Sequence, residues 1–251
     1  MRLTLSLLLI LFLTHNVHSA TPTAGYTENC APEIDLKLDH SNWDKLLKKY
    51  VDDIGNVNYK GFAKDITALQ NYLDYLAKNR PSDKAPKSER LAYYINLYNA
   101  ATVKLILDNY PTKSIKDIKN PWGKDIVQIE NEKISLGNLE HKILRKMDEP
   151  RIHFAINCAS YSCPKLLNTA FTAANLEKLL EQTAVDFIND PKRNVLTKEK
   201  ASLSEIFNWY KKDFTEKGSL VDYINKYAAQ KLTSNTKISY LNYNWALNEI
   251  E

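Results

Sequence analysis

Glycine is scarce in this chain, with six in 251 residues, and proline is modest at nine. That excludes collagen-like and low-complexity readings. Cysteine is rarer still, at three. A chain of this length buries a sizeable core without disulfide staples. No block of lysine and arginine stands out, and 34 basic against 30 acidic residues leave a mild +4. A nucleic-acid partner is therefore not expected. Beyond the first twenty or so residues no long uncharged apolar run occurs, so no later segment is expected to span a membrane. What remains is globular in composition, 44% hydrophobic and 25% charged. Tyrosine is heavily used, at fifteen, a residue frequent on surfaces that grip a ligand.

The first segment reads as an address. Arg2 precedes an apolar run from Leu3 to Thr14, too short to cross a bilayer, and Val17-His18-Ser19 offers a small-residue cleavage site. The expected organisation is a signal peptide over 1–19, a flexible lead over 20–37 and one globular domain over 38–251. An exported protein follows, periplasmic or extracellular, with no membrane span once the leader is removed. All three cysteines, Cys30, Cys158 and Cys163, lie beyond the leader. An odd count leaves at least one thiol unpaired within the chain.

Periodicity predicts helices over Leu38 to Val51, Phe62 to Ala77 and Glu89 to Asn109, with a charged loop from Arg80 to Lys87 before the third. The third helix is apolar on nearly all sides, yet carries Asn96 and Asn99 one turn apart on one face. Buried amides need partners, so these two either stitch a loop in place or line a site. Lys124 to Ile134 predicts a hairpin turning at Glu130-Asn131-Glu132. Ser135 then caps a helix to Met147, on which His141 and Arg145 stand off the apolar stripe. Arg151 to Asn157 alternates and predicts a strand, with His153 and Asn157 on its polar side. It ends in a loop holding Cys158, Ser160 and Cys163. Thr172 is read as the cap of a helix over 173–188. Ser202 to Glu205 reads as a capping box before Ile206 to Phe214, Ser219 starts a last helix, and Ile238 to Trp245 reads as a closing strand. The expected class is α+β: a mostly helical single domain with a small sheet carrying the Arg151–Asn157 strand.

Five blocks in order resemble one family. They are Ala92-Tyr93-Tyr94-Ile95-Asn96-Leu97-Tyr98-Asn99-Ala100, Leu139-Glu140-His141-Lys142-Ile143-Leu144-Arg145, and Pro150 to Ser160 with Cys163-Pro164. The last two are Ile206 to Tyr210 with Asp213-Phe214, and Tyr243-Asn244-Trp245 with Leu247-Asn248. Together they resemble the DUF547 family, a domain of unknown function, from about Leu38 to Asn248. Tyr94 stands where many members have Trp, and Asn244 where many have Asp. The resemblance implies a secreted or envelope bacterial protein and supplies little mechanism.

The residues themselves suggest thiol chemistry. A cysteine nucleophile needs a lowered pKa, a nearby base and donors for an oxyanion. Cys158 is the candidate nucleophile, and His141 the candidate base, with His153 and Asn157 as further catalytic candidates. Asn96, Asn99, Arg145 and Ser160 are candidates for substrate contact. The activity this supports is a thiol-dependent hydrolase or acyl transferase acting on an amide or ester, with no cofactor. The alternative is a non-catalytic envelope binding protein with a structural Cys158–Cys163 disulfide. A zinc site of Cys158, Cys163, His141 and His153 matches no standard ligand spacing. The ligand is expected to be a small molecule, a peptide or an envelope component, and Tyr93, Tyr94, Tyr98, Trp122, Tyr161 and Trp209 would line a groove for it, although the helical spacing of the Tyr93 to Tyr98 set favours core over groove.

Overall fold

In the computed structural model, which describes residues 37–250, the first element among the described residues is α1, Ser41–Tyr50. Its buried residues Trp43, Leu46, Leu47 and Tyr50 fall at helical spacing. Trp43 stacks on Tyr72 of α2, Ile66–Lys78, at 5.9 Å between ring centroids. Burying side chains of this size contributes about 1.5–3 kcal/mol each. The expected leader and nearly all of the lead lie outside the described residues.

α3, Lys87–Asp108, runs through the middle of the main core. Every residue from Leu91 to Val103 is buried, as its all-round apolar wheel requires. The hairpin follows as predicted, with β1, Asp125–Ile129, antiparallel to β2, Glu132–Ser135, in a register that sets Val127 opposite Ile134. Glu130 takes the left-handed backbone at the turn, and its N–H donates to the Ala77 carbonyl at the end of α2.

Ser135 caps the next segment, its hydroxyl accepting the Asn138 N–H. That segment reaches Met147 but is not one regular helix. A first α turn gives way to a π turn over Leu139–Ile143 and then a 3₁₀ turn over Leu144–Met147. A π turn carries an extra residue per turn and so re-aims the side chains around it.

The predicted strand at Arg151–Asn157 is not formed. Ile152–Ala155 is a single helical turn, entered through i→i−3 hydrogen bonds from Ile152 to Glu149 and from His153 to Pro150. Alternation signals a strand only where one side meets solvent. Here Ile152 through Asn157 are all buried, so the polar residues of the alternation satisfy internal partners rather than water. The sheets are instead the hairpin and a small three-stranded sheet ordered β3-β4-β5. Its strands are β3, Val195–Leu196, β4, Lys200–Leu203, and β5, Lys237–Tyr240, with β4 and β5 parallel.

Between these lies α4, Leu176–Asn189, which starts later than predicted. Asn175 is its N-cap, and Thr172 accepts the Asn175 N–H one turn earlier. The predicted capping box at Ser202 does not form, because Ser202 belongs to β4 and faces Ser239 across the sheet. The segment after it is two separate turns, Ile206–Trp209 and Lys211–Phe214. α5, Leu220–Tyr227, does have a full capping box between Ser219 and Asp222. The expected closing strand ends at Tyr240. The residues after it form isolated bridges instead, Ala246 with Ser114, Leu247 with Ser160 and Glu249 with Val57.

A second cluster packs Phe154, Phe187, Phe207, Phe214 and Tyr223 together. The class is α+β, as expected, with the sheets placed differently. Among the described residues no helix is long and apolar enough to cross a membrane.

Candidate functional site

The loop from Asn157 to Pro164 is held by its own side chains. Asn157 Oδ1 accepts the Ala159 N–H at 2.7 Å, and its Nδ2 donates to the Pro164 carbonyl at 2.7 Å. Ala159 sits in the left-handed region, φ 59°, which costs a non-glycine residue about 1–2 kcal/mol. The hydrogen bond from its N–H offsets part of that strain. Asn99 fixes the start of the loop from α3. Its Nδ2 donates to the Ala155 carbonyl at 3.0 Å and its Oδ1 accepts the Asn157 N–H at 2.8 Å. Asn96 does the same for another loop, pairing with both backbone groups of Phe171. Of the two readings for these asparagines, loop stitching is the one their hydrogen bonds support. Their amides are spent on backbone, and they do not reach the cavity described next. Asn157 likewise shapes the loop rather than facing that cavity.

The chain's late residues complete the loop's surroundings. Tyr161 N–H donates to the Ala246 carbonyl at 2.7 Å, and Asn248 N–H donates to the Ala159 carbonyl at 3.3 Å. This brings Tyr243 and Trp245 beside Cys158.

A cavity of about 380 Å³ opens there. Cys158, Cys163, His141, His153 and Glu140 line it. The remaining wall is largely aromatic, from Tyr98, Trp122, Trp209, Tyr210, Tyr243 and Trp245. Cavities of this size and lining suit a small ligand or a side chain of a larger one.

Cys158 and Cys163 are free thiols, not a disulfide. The Cys163 thiol donates to Cys158 Sγ at 2.9 Å, while Cys163 Sγ accepts the Cys158 backbone N–H at 2.9 Å. The Tyr243 hydroxyl lies 3.4 Å from Cys158 Sγ and the Ser160 hydroxyl 3.5 Å. The Cys163 hydrogen bond is the main influence that holds the Cys158 thiol below its ordinary pKa, against burial and with help from Ser160 and Tyr243. Burial pushes Cys163 well up, reinforced by its role as donor to Cys158. The two sulfurs are thus unequal: Cys158, half-buried at the cavity, is the one held toward its thiolate, and Cys163 is the buried partner that keeps its proton more tightly.

His153 is buried beside them, stacked on Tyr210 at 3.9 Å. Its Nε2 donates to Asp213 Oδ2 at 2.8 Å. Burial pushes its pKa down despite that carboxylate, so the imidazole is neutral and Nδ1 is its basic nitrogen. Asp213 also receives two hydrogen bonds from Arg145, at 2.6 and 2.7 Å. Against burial, Arg145 and His153 hold the Asp213 carboxyl well below the usual range. Arg145 is therefore spent on Asp213 rather than presented to a ligand.

His141 stands at the cavity edge, half of its side chain exposed. Arg145 Nη1 lies 3.2 Å from its Nδ1, and a guanidinium only donates, so Nδ1 is the acceptor of that bond. Neither histidine is among the hydrogen-bond partners of Cys158, which are Cys163, Ser160 and Tyr243. The oriented imidazole is His153 rather than the predicted His141. Among the described residues no three of the His, Cys, Asp and Glu side chains are grouped to hold a metal ion, so the zinc arrangement is not assembled. Cys30 lies outside the described residues. Of the residues proposed for an aromatic groove, Tyr98, Trp122 and Trp209 do line the cavity, while Tyr93, Tyr94 and Tyr161 do not.

Three participants received no role from the sequence: Asp213, Tyr243 and Glu140. Each falls inside a block that resembles the family. Glu140 had a second signal, since it lies within the apolar stripe of its helix, about 40° from Leu136 at 100° per residue. It is 5% exposed.

Fold and site define an α+β domain with an unequal thiol pair opening on an aromatic cavity. Residues 82–188 match the model of a family described as a protein of unknown function, DUF547. That match supports the family resemblance and includes His141, His153, Cys158 and Cys163, while Asp213 and Tyr243 lie beyond it. Neither a curated protein nor a solved structure matches the chain.

Proposed function

We propose that this protein is a thiol-dependent acyl-transfer enzyme, a hydrolase or acyl transferase acting on an ester or amide. The carrying observation is that Cys158, held toward its thiolate by Cys163, lines the same cavity as an imidazole oriented by Asp213. Cys158 Sγ attacks the acyl carbonyl. An S–C bond forms, the C–O or C–N bond breaks, and the leaving group takes a proton from solvent. Water, or another acceptor, then gives a proton to His153 Nδ1 and attacks the thioester, releasing the acyl product and the Cys158 thiolate, and His153 returns that proton to the solvent that protonated the leaving group. The Tyr243 hydroxyl, kept protonated by burial, is a donor for the oxyanion. Apo hydrogen bonds between nucleophile and base are often long, so a Cys158–His153 bond is not required at rest.

The reading is of an exported bacterial protein, supported by the leader-like pattern of residues 1–19. In an oxidising compartment Cys158 works only while its partner thiol stays reduced. The closeness of Cys163 favours a second reading, exchange with external disulfides, in which Cys163 resolves a mixed disulfide on Cys158.

The test is p-nitrophenyl acetate with the full chain. The expected result is acetylation of Cys158 by intact and peptide mass, absent in Cys158→Ala. Asp213→Asn and His153→Gln are expected to slow turnover by about 10²–10⁴-fold. Acetylation that survives in Cys158→Ala would overturn the reading. Reduction of an aromatic disulfide, lost in Cys163→Ala but with no acyl adduct on the wild type, would favour exchange.

A further inference from the structure

Acyl transfer leaves one feature of the cavity unused. Glu140 is buried on the π turn, and its Oε2 accepts the Tyr98 hydroxyl at 3.3 Å. Its Oε1 is buried without a hydrogen-bond partner. The basic atom beside that oxygen is His141 Nδ1, at 3.9 Å, beyond hydrogen-bond range and already facing Arg145. A buried carboxyl oxygen with no donor is costly. Burial and the nearby Glu140 carboxylate push the Tyr210 hydroxyl up, yet that hydroxyl makes no hydrogen bond to Oε1, so this oxygen marks a place where a donor is missing.

The surrounding wall says which donor fits. Trp122, Trp209, Tyr243 and Trp245 form one ring cluster, with centroids 4.5–5.7 Å apart. The faces of such rings are negative and attract cations. The chain already uses this attraction twice here, with Lys116 Nζ 5.2 Å from the Trp245 centroid and Arg145 5.3 Å from Tyr210. A neutral polar ligand would satisfy Glu140 but gain nothing from the rings. An anion would bring only acceptors to an oxygen that lacks a donor. An ammonium group gains from the carboxyl oxygen and from the rings together.

We infer that the cavity recognises an ammonium group, seated on Glu140 Oε1 with its attached carbons against the tryptophans. The substrate class is then an acyl compound or acceptor bearing a primary amine close to the reacting carbonyl. This rests on the acyl-transfer reading for the word substrate. The binding site itself stands on the cavity alone.

The experiment titrates the full chain with n-butylammonium and, separately, n-butanol. Binding is read by tryptophan fluorescence and by protection of Cys158 from iodoacetamide. The expected result is saturable quenching and protection by butylammonium, with butanol at least tenfold weaker. Glu140→Gln is expected to weaken butylammonium by about 10–100-fold. Trp209→Leu, at the exposed mouth, is expected to weaken it about threefold to tenfold, and decides the matter if Glu140→Gln does not fold. Equal binding of butanol and butylammonium, or wild-type affinity in a folded Glu140→Gln, overturns the ammonium site. Slow alkylation of Cys158 with intact butylammonium quenching overturns the acyl-transfer reading and keeps the site.

Discussion

Asn99 offers the sharpest test of how the reactive loop is held. It is 3% exposed, and its two amide atoms pair with the Ala155 carbonyl and the Asn157 N–H. Asn99→Ala leaves both backbone groups buried and unpaired. Each such orphan costs about 1–3 kcal/mol, so the expected loss is about 2–6 kcal/mol, toward the lower end if water enters the vacated space. That is a large share of the ~5–15 kcal/mol that holds a typical domain. Asn96→Ala makes the matched comparison, because it strips two hydrogen bonds from Phe171 instead. Both variants are expected to lower the urea midpoint by similar amounts. Only Asn99→Ala is expected to change the rate at which iodoacetamide labels Cys158, since Asn157 begins the Cys158 loop. Asn109→Ala removes one half-buried bond to the Leu105 carbonyl at the end of α3 and is expected to cost about 1 kcal/mol or less. An Asn99→Ala protein within 1 kcal/mol of wild type, with unchanged Cys158 labelling, would refute the account of the loop.

The other predictions concern the scaffold. Burial pulls the His40 pKa down to about 4, with only Asp39 opposing it. The unfolded chain therefore takes up this proton near pH 6.5 while the folded chain resists it until about pH 4, so stability is full above 6.5 and declines as pH falls through that window. The decline from this one group is about 3 kcal/mol, and His40→Gln is expected to flatten it in urea midpoints measured across the window. Gly55 has φ 87°, and an added Cβ would collide with the Lys165 side chain and backbone. Gly55→Ala is expected to lose about 2–5 kcal/mol from backbone strain and overpacking together, read by the same titration. Ser219→Ala removes the capping box of α5 and is expected to cost about 1 kcal/mol, visible as a small fall in thermal midpoint.

Much of the helical frame was legible. α3 declared itself by having no polar side, and the asparagines on it by being out of place there. The hairpin declared itself through its turn and flanking isoleucines. The segment at Arg151 misled because its alternation is real but meets no solvent on either side, so period two carried no structural information. The break at Tyr210 between two helical turns and the π turn at Leu139 leave no mark in the hydrophobic pattern. In the site, Cys158 and Cys163 were readable as a pair, but not which sulfur gives its proton to the other. His141 looked free because it is exposed. His153 looked misdirected because a strand would have aimed it away from Cys158. Its partner Asp213 lies 60 residues away, and no local spacing links the two.

The loop around Cys158 is finished by residues that come more than eighty positions later. Tyr243 stands against its sulfur, while Ala246 and Asn248 clasp the loop's backbone, and Asn248 also receives the Tyr59 hydroxyl and donates to Gly55 from the other end of the chain. A polypeptide still emerging from the ribosome therefore carries both cysteines long before it has a cavity. A chain cut short of Tyr243 keeps Cys163 and Ser160 beside Cys158 but lacks the Tyr243 hydroxyl and the residues that clasp the loop's backbone, so the order in which the sequence is written puts the finishing of this site last.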